Sequence, residues 1–153
     1  KMVLVRILVL QLLLVPALTF LSFTSKEAEN FRAVNIDFPK VNFSKGFQGY
    51  CNGLMSYVRG RQKLLKNCPN VHYVLHAPWE KVKISCHKTD SFCEDFNEYC
   101  SLSQDVFPIT TCSRVKETPP TTCLYNETTS TQRVYLLCSR KYNAKPIHIV
   151  GLF

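Results

Sequence analysis

Eight cysteines with uneven spacing are the feature that most constrains the fold of this 153-residue chain. Successive cysteines are separated by 17, 18, 7, 7, 12, 11 and 15 residues, and none forms the closely spaced C-x2-C pair typical of zinc sites. An even number of cysteines downstream of an apolar N-terminal stretch predicts a disulfide framework in an exported protein. The same pattern disfavours the alternative, a cytosolic protein with reduced structural cysteines. The cysteines are Cys51, Cys68, Cys86, Cys93, Cys100, Cys112, Cys123 and Cys138.

The N-terminal stretch is typical of a secretory signal peptide. Lys1 and Arg6 supply positive charge, residues 7–15 are apolar except for Gln11, and small or polar residues follow Pro16. A membrane anchor is the alternative, but this apolar run is shorter than the ~20 residues that a membrane-spanning helix needs.

The remainder of the chain is long enough for one domain with a single hydrophobic core. We predict a signal peptide over residues 1–24, with cleavage between residues 19 and 25, and one domain over residues 25–153. No second apolar run of membrane-spanning length follows. We therefore expect a mature chain without a transmembrane segment that is secreted into the extracellular space.

The charge balance favours anionic partners without choosing among them. Nineteen basic and 11 acidic residues give a formal net charge of +8, which falls to about +6 without Lys1 and Arg6. RNA, heparan-type glycans and anionic membranes would all be attracted by such a surface, and an ordinary solvated surface is an equal alternative. Asn42 and Asn126 each begin an N-x-S/T sequon, which predicts two surface glycosylation sites.

Apolar spacing predicts helices mainly in the first half of the chain and strands mainly in the second. Helical patterns cover residues 26–36 and 47–65, and Pro78 is well placed to begin a third helix. In the second helix we expect one buried face, formed by Tyr50, Leu54, Tyr57 and Val58.

Strand-forming residues predict four further features of the fold. Strands are expected over residues 71–75, 108–112 and 147–150, and a hairpin whose tip is the polar stretch 126–132 between residues 124–125 and 134–137. Helices followed by strands predict an α+β domain.

These features resemble those of the secreted pancreatic-type ribonuclease superfamily, and most closely its divergent, inactive members. Six of the seven cysteine separations fit the spacing of that family, and the first is longer, as a short insertion after Cys51 would make it. The resemblance implies a ribonuclease A-like fold, with about three helices packed on a bent antiparallel sheet. Local anchors agree with it: Tyr50-Cys51-Asn52, the closed segment from Cys93 to Cys100, Ile109-Thr110 before Cys112, and Pro146-Ile147-His148.

The residues alone leave the cysteine connectivity open, because eight cysteines permit many pairings. The resemblance implies four disulfides: Cys51–Cys112, Cys68–Cys123, Cys86–Cys138 and Cys93–Cys100. The first three would each close a loop of more than 50 residues. Chain-entropy estimates give about 4 kcal/mol for each such link. The fourth would mainly shape a local surface.

Enzymes of the family cleave RNA with two histidines and a lysine. One histidine takes the proton of the ribose 2′-hydroxyl, the other donates a proton to the departing 5′-oxygen, and the lysine stabilises charge on the phosphate. This chain has no histidine before His72. When residues 31–37 are laid on the family's helix motif, with Phe31 and Asp37 as anchors, Asn35 occupies the base position. An amide cannot accept and carry a proton near neutral pH.

The position of the lysine, immediately after the second cysteine, holds Pro69. Lys66 is a conceivable substitute, but the register that Cys68 fixes disfavours it. Tyr73 stands where active relatives have the threonine that recognises pyrimidines.

The remaining histidine position is retained, because His148 matches the general acid of the family. Its usual carboxylate partner is missing, since Val150 follows Ile149. We therefore predict that His148 is a vestigial acid and that no catalytic residue functions. The closed loop between Cys93 and Cys100 carries acids that would repel RNA, namely Glu94, Asp95 and Glu98.

Together these replacements favour a secreted, catalytically inactive ribonuclease-like protein that acts by binding. The resemblance associates such relatives with male reproductive tract secretions. We expect a monomer without cofactor or metal, with an unknown extracellular protein or anionic glycan as partner and at most weak binding of nucleic acid. One alternative is a weak RNA endonuclease that uses His72 as base with His148. Another is a cationic host-defence protein that acts through Arg59, Arg61, Lys63 and Lys66.

Overall fold

The computed structural model describes residues 26–43, 46–62, 67–87, 91–139 and 143–153. The predicted signal peptide therefore lies outside the described residues. Within them, no helix is both long and apolar enough to cross a bilayer. Helix α1 covers residues 26–35, and the further elements are α2 (Tyr50–Arg61), β1 (Val71–Leu75), α3 (Trp79–Lys83), β2 (Ser91–Cys93), β3 (Glu98–Leu102), β4 (Phe107–Arg114), β5 (Tyr125–Gln132), β6 (Val134–Cys138) and β7 (Pro146–Leu152).

The described strands form two antiparallel sheets, with strand orders β1-β4-β5 and β2-β3-β6-β7. Because β5 ends at Gln132 and β6 begins at Val134, the chain passes from one sheet to the other at Arg133. The backbones of Arg133 and Phe153 exchange two hydrogen bonds of 2.9 Å, which fix the end of the chain beside this crossing point. The α+β architecture predicted from the sequence is confirmed.

The prediction that residues 126–132 form a hairpin tip is wrong. These residues belong to β5, which pairs with β4 along its whole length, from Phe107↔Gln132 to Arg114↔Tyr125. Most β5 side chains are exposed, so the strand lacks the apolar alternation by which a half-buried strand is recognised. Its threonines are nevertheless β-branched and suit a strand with one face in water.

Two clusters of buried apolar side chains form the core, and each contains a disulfide. The first includes Phe31, Leu136 and the Cys86–Cys138 disulfide, and the second lies around α2 and includes the Cys51–Cys112 disulfide. The other two disulfides join Cys68 to Cys123 and Cys93 to Cys100. All four pairs are those that the resemblance implies.

The buried face of α2 differs from the predicted one at Tyr57. Tyr50, Leu54 and Val58 are buried as expected, but Tyr57 is exposed and its hydroxyl accepts a hydrogen bond from Arg61. Other residues of the helix, including Cys51 and Met55, are buried instead of Tyr57. The buried arc is therefore rotated, so that Tyr57 lies at its edge.

Gly53 on α2 packs directly against the ring of Phe43. A Cβ atom added at Gly53 would lie 2.4 Å from Cγ of Phe43. That ring also makes edge-on contacts with Phe47 and Tyr50, so it cannot move without disturbing them. We expect Gly53→Ala to lower the free energy of unfolding by about 1–3 kcal/mol, as overpacking in a core does.

Gly60 on the same helix is the matched control, because nothing lies within 4 Å of an added Cβ atom there. Gly60→Ala should raise the free energy of unfolding by about 0.5–1 kcal/mol through helix propensity. Urea denaturation of both variants measures the difference. Equal stabilisation at the two positions would contradict the close packing of Phe43.

Candidate substrate cleft

Two side-chain hydrogen bonds tie the last turn of α1 to β1. Nδ2 of Asn35 donates to the carbonyl oxygen of Tyr73 at 3.0 Å, and Nε2 of His72 contacts the carbonyl oxygen of Val34 at 2.6 Å. A carbonyl oxygen only accepts, so the His72 ring carries a proton on Nε2. Asn35 is thereby held against β1, with one of the two N–H donors of its amide engaged.

The anchors that set the register of α1 are both in place. Phe31 is 1% exposed and packs beside Trp79 in the first core cluster. The Asp37 carboxylate accepts a hydrogen bond of 2.5 Å from the Tyr50 hydroxyl. Burial, and then this hydrogen bond, raise the pKa of Tyr50 far above its ordinary value. Both anchors contact the rest of the domain, and the assignment of Asn35 to the base position stays a prediction.

Pro69 lies just before β1, and a hydrogen bond to its backbone carbonyl holds it in position. Its carbonyl oxygen accepts a hydrogen bond of 2.6 Å from the Tyr125 hydroxyl, and the neighbouring Cys68 is bonded to Cys123. A proline side chain carries no charge, so this position offers no cation to a phosphate. Lys66, the conceivable substitute, lies outside the described residues.

His148 lies on β7, opposite Leu137 of β6. Its ring is packed against that of Phe96, with 5.9 Å between the ring centroids, although much of the residue is exposed. Partial burial lowers the pKa of His148 below its ordinary value. No described residue forms a hydrogen bond with the ring, and Val150, two residues further along β7, has no carboxylate to orient it.

His72 and His148 are close enough for the charge of one to act on the other. Burial is the main cause that lowers the pKa of His72, the hydrogen bond to Val34 partly opposes it, and the nearby charge of a protonated His148 lowers it further. The structure therefore brings together the two histidines of the endonuclease alternative. However, Nε2 of His72 is committed to α1, which leaves only Nδ1 as a proton acceptor.

We expect the free energy of unfolding of His72→Asn to fall less on mild acidification than that of the wild type. The folded state binds the His72 proton less tightly than the unfolded chain, because its pKa is lowered from 6.5 on folding. The stability linked to this group is complete above the unfolded pKa and is lost as the pH falls through the folded pKa. Urea denaturation across this pH range measures the effect, with exposed His87→Asn as control. Identical pH profiles for the wild type and His72→Asn would contradict it.

The closed loop between Cys93 and Cys100 contains one contact that the sequence analysis missed. A short 3-10 helix, Glu94–Phe96, forms the tip of the hairpin between β2 and β3. Glu94 and Asp95 are exposed at this tip, as predicted for the acidic loop. Phe96 covers His148 from the same tip. The available signal was an aromatic residue at the tip of a disulfide-closed loop, but its direction depends on the tertiary structure.

The other predicted sites are scattered over the surface. Asn42 and Asn126 are exposed, as are Arg59 and Arg61 of the predicted basic cluster, whereas Lys63 lies with Lys66 outside the described residues. In the described part of the chain, no three histidine, cysteine, aspartate or glutamate side chains are grouped to hold a metal ion.

The sequence model of the family described as Pancreatic ribonuclease matches residues 26–150. The chain belongs to the pancreatic ribonuclease family. It is 53% identical over 148 residues to the human protein named "Probable inactive ribonuclease-like protein 13", covering 97% of this chain and 94% of that protein. The rat protein of the same name is 51% identical, with coverage of 96% and 95%. The pancreatic ribonuclease of Iguana iguana is 29% identical over 119 residues, with coverage of 78% and 92%.

The fold of this pancreatic ribonuclease family member also matches a solved structure. Green turtle egg white ribonuclease superposes with a TM-score of 0.61 at 20% sequence identity, covering 83% of this chain and 98% of that one. The resemblance deduced from the cysteine spacing and the ribonuclease-like fold are thus both confirmed.

Proposed function

We propose that this chain is a secreted ribonuclease homologue that does not cleave RNA and acts by binding another extracellular molecule. One observation carries the proposal. The hydrogen bond from Asn35 to the Tyr73 carbonyl holds an amide at the position assigned to the proton-accepting base. A neutral amide has no basic site that can take up the proton of a ribose 2′-hydroxyl near pH 7.

The other two catalytic positions support the same conclusion. Pro69 supplies no cation, and His148 has Phe96 against its ring and no carboxylate from Val150. Proton transfer by a positioned side chain contributes about 10²- to 10⁴-fold to a rate. Groups that act as a unit lose most of their effect when one of them fails, so the retained histidine rescues little. The names of the human and rat relatives agree with an inactive protein.

Secretion and processing form part of the proposal. The charged and apolar pattern of residues 1–24 supports a signal peptide, with the ribonuclease-like domain beginning at about residue 25. The disulfides require an oxidising compartment. Exposed Asn42 and Asn126 would carry glycans. Male reproductive tract secretions are the setting that the family resemblance suggests, and the mature domain would act there as a monomer.

Steady-state hydrolysis of poly(C) and tRNA by the mature, glycosylated protein tests the proposal, with pancreatic ribonuclease assayed in parallel. We expect no turnover above background, and the same background for His148→Ala. Turnover approaching that of the pancreatic enzyme, and lost in His148→Ala, would overturn it.

A weak RNA endonuclease is the second candidate, because His72 and His148 are close enough for their charges to interact. In that case Nδ1 of His72 would accept the proton. This function predicts a bell-shaped pH dependence that either His72→Ala or His148→Ala abolishes. A flat background in the wild-type protein rejects it.

A further inference from the structure

Charge is unevenly distributed along this basic chain. Residues 90–113 contain five of its 11 acidic residues and none of its 19 basic ones. The four strands of the sheet β2-β3-β6-β7 contain one formally charged residue, Glu98. Within the β2–β3 hairpin itself, residues 91–102, every formally charged side chain is acidic, opposite in sign to the net charge of the protein.

The same hairpin exposes three aromatic rings. Phe92 and Phe96 are each 45% exposed and Tyr99 is 41% exposed. Phe92 lies opposite Tyr99 in the ladder between β2 and β3, and their rings pack edge to face at 5.3 Å. Phe96, at the tip of the hairpin, packs on the ring of His148 in β7. Exposed aromatic groups of this kind mark interaction surfaces when they are clustered.

The hairpin is preorganised to present these groups. The Cys93–Cys100 disulfide closes it, its strands are paired in an antiparallel ladder, and Asn97 completes the tip in the left-handed conformation. A ligand that binds a constrained loop does not bear the entropic cost of ordering it.

Two exposed carboxylates accompany the aromatic residues of this hairpin, and the combination favours a cationic partner. Glu94 and Asp95 precede Phe96 directly, and both are exposed. The guanidinium group of arginine can stack on an aromatic ring and also form paired hydrogen bonds with a carboxylate, which a lysine ammonium group does less well. The lowered pKa of His148 keeps that ring neutral at neutral pH, so it does not repel a cation. RNA, in contrast, would bring its phosphates against the two carboxylates.

We propose that the hairpin surface, formed by Phe92, Glu94, Asp95, Phe96 and Tyr99, binds an arginine-rich segment of a protein partner. This inference rests on the proposed binding function and specifies the chemistry of the partner. Because the protein as a whole is basic, a cationic segment would be attracted to this surface and repelled from most others.

Fluorescence anisotropy with a labelled oligo-arginine peptide tests the inference on the mature, glycosylated protein. Oligo-lysine, oligo-glutamate and oligocytidylate of equal length are the comparison probes. We expect oligo-arginine to bind most tightly. Removing both tip charges with Glu94→Gln and Asp95→Asn should weaken its binding by about three- to tenfold. Phe96→Ala should weaken it by about two- to fivefold, since an exposed cation–π contact is lost.

A matched control is the double variant Glu29→Gln with Glu117→Gln, which changes the net charge equally at two exposed positions elsewhere. It should leave the affinity within about twofold of the wild type, because neither residue belongs to the hairpin surface and salt screens exposed charges. Thermal melts verify that each variant is folded.

Three outcomes would overturn the inference: no binding of oligo-arginine, an equal loss in the matched control, or tighter binding of oligocytidylate. Poly(C) hydrolysis measured on the same samples separates the two proposals. Cleavage refutes the proposed function whatever the peptide does, whereas absent cleavage with absent peptide binding refutes only the hairpin surface.

Discussion

The double variant Asn35→His with Pro69→Lys should hydrolyse poly(C) at least about 100-fold faster than the wild-type chain, since a positioned proton-transfer group contributes 10²- to 10⁴-fold. The surroundings of Asn35 suit its substitution by histidine. Asn35 already donates to the Tyr73 carbonyl, and a histidine ring could make the same bond through Nδ1–H, leaving Nε2 free to accept a proton. The lysine would supply the cation that Pro69 lacks.

The double variant should nevertheless remain well below a pancreatic ribonuclease. The Tyr73 side chain is partly buried against the first core cluster, and the family resemblance assigns to this position the threonine that recognises pyrimidines. Val150 cannot orient His148, and Glu94 and Asp95 would repel the phosphates of RNA. These differences lie outside the two substituted positions, so two substitutions cannot correct them.

The single variants and a triple variant provide the controls. Each single substitution should give less activity than the pair, because the base and the cation act as a unit. Adding His148→Ala to the pair should remove the gain. Full recovery of pancreatic activity by the pair would show that Tyr73 and the acidic tip matter little. A folded pair with no gain at all would show that Asn35 and Pro69 have been misassigned.

Removing the Cys86–Cys138 disulfide by substituting both residues with alanine should lower the free energy of unfolding by about 4 kcal/mol. Both cysteines are essentially inaccessible within the first core cluster, and they are separated by 52 residues. The unfolded chain therefore gains the entropy of a long open loop, while the folded chain loses two sulfur atoms from its core. For a domain of this size, that loss is a large fraction of the total stability.

The Cys93–Cys100 disulfide is the internal control, because its cysteines are only seven residues apart. The same chain-entropy relation gives about 2.5 kcal/mol for this short loop. Guanidinium denaturation of the two double-alanine variants compares them directly. A larger loss for Cys93 and Cys100 than for Cys86 and Cys138 would contradict this account of the stability.

The sequence predicted the scaffold well because its strongest signals are local or covalent. The cysteine spacing fixed the family and, through it, the four disulfide pairs. Residues typical of strands located β1, and apolar periodicity located α1 and α2, where one face is buried and the other is wet. It failed for β5, whose side chains are mostly exposed, because a strand stabilised by pairing with β4 need not alternate. The exposure of Tyr57 depends on which part of α2 the rest of the chain covers.

At the candidate site, the sequence predicts what depends only on the type of residue. Asn35 and Pro69 lack the required groups whatever their surroundings. The contact between Phe96 and His148, and the bond between His72 and Val34, join residues more than 30 positions apart. They depend on how the hairpin and α1 meet the sheets, which no local pattern specifies.

The most direct test of the central claim is a single-turnover measurement, with mature protein in large excess over a fluorogenic cytidine-containing dinucleotide. Because the protein then outnumbers the substrate, cleavage does not require repeated turnover. Even slow proton transfer by the side chains of the site would appear as a first-order phase of cleavage. We predict no such phase, and identical traces for the wild type and His148→Ala. A phase in the wild type that disappears in His148→Ala would show that a working base exists despite Asn35.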